Sequence, residues 1–155
     1  MSDYHNKVMA NNLESFIYDR FIENGIDCKK SHTNGVDLMC NCGIDIEIKS
    51  CCKYIKSGKG TRFGYFMFKR KEIKTDFDYY IFAVRENKRE SLGTFKKIRL
   101  FVSKEAKVKK HILSKSKGNY KKLGVSFRKL LKVSDYELDE FIEYLRSVNQ
   151  IEVFS

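Results

Sequence analysis

Polar and apolar residues alternate with period two on both sides of Asn41-Cys42-Gly43. Val36, Leu38 and Cys40 fall on one side of the first run, and Ile44, Ile46 and Ile48 on one side of the second. Successive strand side chains point to opposite faces, so the pattern predicts two half-buried strands. The turn-like residues between them predict a β-hairpin. The isoleucines then enter a core, while Asp45, Glu47 and Lys49 share the other face. Closing this hairpin brings Asp37 beside Glu47 or Lys49.

Elsewhere the period changes. Met9, Leu13, Phe16, Ile17 and Phe21 recur at helical spacing and predict a helix over 5–24, stopped by Gly25. Ile26 to Lys30 predicts a first strand. Ser57-Gly58-Lys59-Gly60 has no hydrophobic period and reads as a mobile loop. Thr61 to Phe68 predicts a strand whose aromatic rings mostly pack inside. Residues 69–74 begin either a short helix or a turn. Tyr79 to Val84 is almost wholly apolar, which predicts a central strand buried on both faces. Lys97 to Val102 alternates as another strand, and Ser103 is placed to cap a helix reaching Leu113. Residues 114–124 read as a basic loop, and Val125 to Val133 fits helix or strand equally. Ser134 and Glu137 have the spacing of a capping box, ahead of a helical stripe of Leu138, Phe141, Ile142 and Leu145 that ends near Ser147. Ile151 to Phe154 fits either a late strand or a docking segment. The elements add up to an α/β core in which a mixed sheet is flanked by helices, as one domain over 1–155.

Charge sharpens the picture. Against 20 Asp/Glu stand 31 Lys/Arg, a formal net charge of +11, and they are unevenly placed. Residues 53–74 hold eight Lys/Arg and one Glu, and residues 96–132 hold fourteen and one. The first 52 residues and the last 23 are net acidic. Positive charge concentrated beside an acidic hairpin suits a polyanion backbone. No apolar run is long enough for a membrane span and no signal core opens the chain, so the expected setting is intracellular, cytoplasmic or nucleoid-associated, with no membrane partner.

Other chemistries lack their residues. The five cysteines include Cys40-Asn41-Cys42 and Cys51-Cys52, spacings that on strands aim neighbouring thiols apart, so no structural metal is expected there. Histidines stand only at positions 5, 32 and 111, with no orienting third group for a Cys/His nucleophile. Walker and dinucleotide phosphate loops are absent.

The hairpin remains. An acid facing an acid is repulsive unless a cation sits between them, and hard carboxylate oxygens suit magnesium. A lysine two residues on is placed to hold an attacking water or steady developing charge. Asp37 followed by Glu47-Ile48-Lys49 resembles the PD-(D/E)xK nuclease superfamily, which includes restriction endonucleases, archaeal Holliday-junction resolvases and repair nucleases. Val36 stands where the motif's name has proline, a position that supplies no ligand. The resemblance is best over residues 13–52.

It implies a restriction-endonuclease-like fold and a metal-dependent DNA endonuclease of restriction or repair type. Mg2+ is the implied metal, with Mn2+ as a substitute. Asp37, Glu47 and Lys49 are the implied catalytic residues, Asp37 and Glu47 also holding metal. Glu14, in a Leu13-Glu14-Ser15-Phe16 context, is either a carboxylate at the core boundary or an added metal ligand. Lys53, Lys56, Lys59, Arg62, Lys69 and Arg70 are the expected DNA contacts. A homodimer is expected by analogy with small nucleases that cut both strands. Two alternatives stay open: a Holliday-junction resolvase of the same superfamily, and a non-catalytic nucleic-acid-binding module whose acidic hairpin is structural.

Overall fold

A computed structural model describes residues 2–31, 36–40, 43–58, 60–69, 76–86, 97–116 and 122–154. The chain opens with helix α1 (Ser2–Glu23), which buries Met9, Leu13, Ile17 and Phe21 at the predicted spacing. Gly25 follows at φ +78°, a left-handed position that favours glycine and ends the helix. Strands β1 (Cys28–Lys30), β2 (Leu38–Cys40) and β3 (Asp45–Cys52) then pair antiparallel.

The sheet has six strands in the order β1-β2-β3-β7-β8-β10, with β7 at Tyr79–Arg85, β8 at Arg99–Lys104 and β10 at Tyr136–Glu137. Strands β3 and β7 are parallel and the other neighbours antiparallel, so the fold is α/β with a mixed central sheet. The apolar run of β7 is buried on both faces, as its composition predicts. Ile81 and Ala83 face one core, while Tyr80, Phe82 and Val84 face the other.

The first core lies between the sheet, α1 and the closing helix α4 (Leu138–Phe154). Leu138, Phe141, Ile142 and Leu145 of α4 and Ile46 of β3 meet there, with Ile44 and Ile48 packed alongside. The second core is covered by helices α2 (Glu105–Ser116) and α3 (Phe127–Lys132). A two-stranded pair, β6 (Tyr65–Lys69) with β9 (Lys122–Ser126), completes that layer. Between β3 and β6 a separate antiparallel hairpin projects, formed by β4 (Tyr54–Ser57) and β5 (Gly60–Phe63).

Several local expectations are corrected. Residues 57–60 are the tight turn of the β4–β5 hairpin rather than a loop, with Gly58 at φ +56° and Lys59 outside the described residues. The strand predicted over Thr61 to Phe68 breaks at Gly64, whose N–H donates to Lys53 O at 2.8 Å. Phe66 and Phe68 are buried as predicted, whereas Phe63 is 40% exposed.

Ser103 does not cap α2. It lies inside β8, fully buried, and its Oγ has no hydrogen-bond partner. The predicted capping box slides by one turn. Ser134 Oγ donates to Leu131 O instead, and Glu140 reaches back to the Glu137 N–H at 3.1 Å. Residues 151–154 continue α4 rather than forming a strand. Val36 packs in the second core, not beside Leu38 and Cys40, because it lies before β2, outside the strand's alternation.

Candidate metal and phosphodiester site

The predicted β2–β3 hairpin forms, with Leu38 opposite Ile46 and Met39 opposite Asp45. Gly43 sits at φ +82° in the connection, and its N–H donates to Cys40 O. The paired register ends at Leu38–Ile46, one residue short of Asp37 and Glu47. The backbone shifts at that point: the Asp37 N–H donates to Ile46 O at 2.8 Å, the carbonyl that Leu38 faces. The ladder's next donor, the Ile48 N–H, goes to Asp37 Oδ2 at 2.7 Å. A side-chain carboxylate therefore does the work of a strand carbonyl, and β2 leaves the sheet beside it.

Asp37 and Glu14 line one small cleft of about 60 Å³, together with Ala10, Leu13, Ile48 and Ser50. Ala10, Leu13 and Glu14 share a face of α1 because residues three and four apart on a helix are neighbours. Ser50 Oγ contacts Met9 Sδ at 3.5 Å, which seats α1 on β3. Glu14 is thus a boundary residue that also meets Asp37 across the cleft. Lys49 alternates to the opposite face of β3 from Ile48, where its Nζ donates to Met67 O at 3.0 Å and lies 5.0 Å from the Phe68 ring centroid. Asp45 makes its bonds through the main chain, its N–H to Asp78 Oδ2 and its carbonyl from the Asp78 N–H.

The donor chemistry fits a hard divalent cation. A carboxylate has two oxygens and about four lone-pair sites, so the Ile48 N–H does not exhaust Asp37. Among the described residues, no three His, Cys, Asp or Glu side chains form a group able to hold a metal by themselves. Magnesium does not need such a cage, since it keeps several waters and is bound by one or two carboxylates plus substrate phosphate.

The sheet also sorts charge. The acidic ends of the chain supply α1 and α4 on one face, and the basic segments supply β6, β9, α2 and α3 on the other. Of the expected DNA contacts, Lys56, Arg62 and Lys69 are exposed. Lys53 lies 3.9 Å from Glu86 and over Tyr54, while Lys59 and Arg70 fall outside the described residues. Arg128 was not singled out from sequence; it stands 4.4 Å over the Phe63 ring. The signal for it was an arginine in a stretch without acids.

Three of the four described thiols divide between the cores. Cys28 and Cys40 are cross-strand partners in the first, and the Cys40 side-chain hydrogen bond draws the Cys28 pKa below the usual thiol value against its burial. Cys51 is in the second, where burial pushes its thiol up to about 12. A larger cleft of about 360 Å³ lies between α1 and the β8–β10 edge, and its arginines are paired, Arg20 with Asp139 and Arg99 with Glu137. No helix among the described residues is long and apolar enough to cross a membrane. Compared with known proteins, the chain matches no protein-family model, no curated protein and no solved structure.

Proposed function

We propose that this chain is a metal-dependent DNA endonuclease of the PD-(D/E)xK type, built on a restriction-endonuclease-like fold and hydrolysing phosphodiester bonds. The observation that carries the reading is the Asp37 carboxylate just ahead of β2, which accepts the Ile48 N–H midway between Glu47 and Lys49. The cleft shared by Asp37 and Glu14 adds a second carboxylate.

In this reading Asp37 would hold Mg2+, with Mn2+ as a working substitute, together with Glu14 across the cleft or with Glu47, which alternates with Lys49 to the other face of β3. The bound ion supplies Lewis-acid stabilisation and a water of lowered pKa. Asp37 is oriented by the Ile48 N–H, which holds one of its carboxylate oxygens. The Lys49 ammonium gives charge stabilisation to a scissile phosphate, leaving Met67 O for the stronger acceptor. The basic layer of β6, β9, α2 and α3 attracts the phosphate backbone toward the Lys49 face of β3. A homodimer would supply two such sites for two strands.

The test is single-turnover cleavage in magnesium of linear duplex, single strand, flap and four-way junction, with binding measured in parallel in calcium. Glu47→Ala should lower cleavage by about 10³-fold or more while binding persists. Lys49→Ala should cost about 10²- to 10³-fold. Asp45→Ala is the control, because its two bonds to Asp78 are made by main-chain atoms that survive the substitution. Wild-type rates in Glu47→Ala would refute the assignment. Cleavage preferring the four-way junction would narrow the reading to a junction resolvase, and binding without cleavage of any substrate would leave a non-catalytic module.

A further inference from the structure

The β4–β5 hairpin takes no part in the main sheet and exposes large rings. Tyr54 and Phe63 are direct cross-strand partners, with ring centroids 5.5 Å apart and planes inclined by 31°. They remain 50% and 40% exposed. A two-stranded hairpin is marginal by itself in water, and neither ring is covered by a core. Phe63 meets Phe127 in a T-shaped contact at 5.9 Å, and Arg128 lies 4.4 Å over its ring. Two more cations sit on aromatic rings at the same place, Lys53 on Tyr54 at 5.5 Å and Arg62 on Tyr65 at 5.4 Å. From Lys53 to Arg70 the chain has six Lys/Arg and no Asp or Glu.

We propose that this hairpin is a stacking platform for unpaired nucleobases, so that the nucleic acid this chain takes has a single-stranded stretch beside the position it engages. Aromatic rings interleaved with cations match a single strand on both counts. The rings meet the π-faces of bases, and the cations meet the backbone. In an intact duplex those π-faces are hidden in the stack, so a projecting pair of rings gains little from it. An acid-free stretch selects a polyanion over an acidic-and-apolar protein surface.

The platform is held rigidly. At its base the Gly64 N–H donates to Lys53 O at 2.8 Å, the Phe127 N–H to Gly64 O at 3.1 Å, and the Lys53 N–H to Arg85 O at 2.7 Å. Gly64 lies so close to β3 that a Cβ there would stand 1.6 Å from Cys52 O. The hairpin leaves β3 after Glu47 and Lys49 and returns through β6, whose Met67 O accepts from Lys49. A strand stacked on the rings is thereby led toward that residue. The binding part of this inference stands without catalysis; only the position of the cut rests on the nuclease reading.

The experiment is fluorescence anisotropy of the whole protein, without divalent metal, against a single-stranded 20-mer, a forked duplex and a blunt duplex. A second set of strands carries 2-aminopurine, whose emission is quenched by stacking. Wild type should bind the single strand and fork at least about tenfold more tightly than the blunt duplex, with quenching. Tyr54→Ala and Phe63→Ala should each cost about tenfold on the single strand and fork and abolish quenching, with little change on blunt duplex. Tyr54→Trp and Phe63→Trp should restore both, which separates stacking from a folding defect. Equal losses on all three substrates, no loss on the single strand, or unchanged quenching would overturn the proposal. Protein that keeps this selectivity but cuts nothing in magnesium would refute the nuclease reading and leave the platform standing.

Discussion

The Asp37 carboxylate accepts the Ile48 N–H at 2.7 Å, so a substitution there touches folding as well as chemistry. Asp37→Ala leaves a half-buried N–H without its acceptor and should lower stability by about 1–3 kcal/mol. Asp37→Asn keeps an acceptor oxygen but loses the charge. It should stay close to wild type in urea denaturation and still lose about 10³-fold in single-turnover cleavage. An asparagine variant that cuts normally would remove Asp37 from the site. Cys51 gives a second residue-scale expectation. Its folded pKa is raised to about 12 from 9.0, chiefly by burial, then by Cys52. The folded state therefore keeps the proton where the unfolded chain gives it up. The sign follows: this contribution is intact below about pH 9 and falls by up to about 1.4 kcal/mol per pH unit as pH rises toward 12. Cys51→Ala should flatten the alkaline limb of stability against pH, measured by urea midpoints from pH 8 to 10.5.

At the scale of elements, the junction between the β4–β5 hairpin and β3 is the tightest contact in the neighbourhood of the site. A Cβ at Gly64 meets a main-chain carbonyl, which cannot rotate away as a side chain would. Gly64→Ala should destabilise by about 3 kcal/mol, at or beyond the usual range for overpacking, and should shift the denaturation midpoint far more than Gly60→Ala, where nothing lies within 4 Å. Similar midpoints for the two would mean that the hairpin is free to move off β3. The β2–β3 hairpin differs in kind. Its pairing is local, its Ile44, Ile46 and Ile48 face one core, and its alternation alone announces it.

For the whole molecule, the central sheet separates opposite charge. α1 and α4 come from acidic stretches and pack on one face, while β6, β9, α2 and α3 come from basic stretches and pack on the other. On the nuclease reading, a polyanion would be drawn to the second face. If about 5–8 cations touch phosphate at once, log affinity for DNA should fall against log salt with a slope of roughly −5 to −7. A slope near −1 in a salt titration would mean that the charge only solubilises the protein.

Period and composition by themselves determined α1, the stripe of α4, the doubly buried β7 and the acidic hairpin, because each is written within a dozen neighbouring residues. They also determined that Asp37 lies beside the Glu47-Ile48-Lys49 stretch, where its carboxylate accepts the Ile48 N–H, since a strand register follows from a short connection. What they could not determine depends on residues far apart in the chain. The parallel pairing of β3 with β7 and the union of β6 with β9 are such contacts. They decided that Ser103 lies in a strand and that Val36 belongs to the second core. Packing of α1 on β3 brought Glu14 to the cleft of Asp37, which its place beside the apolar stripe left open. The exposed Tyr54–Phe63 pair was hidden for the same reason: an aromatic-rich run predicts burial, and only the break at Gly64 turns the hairpin away from the core.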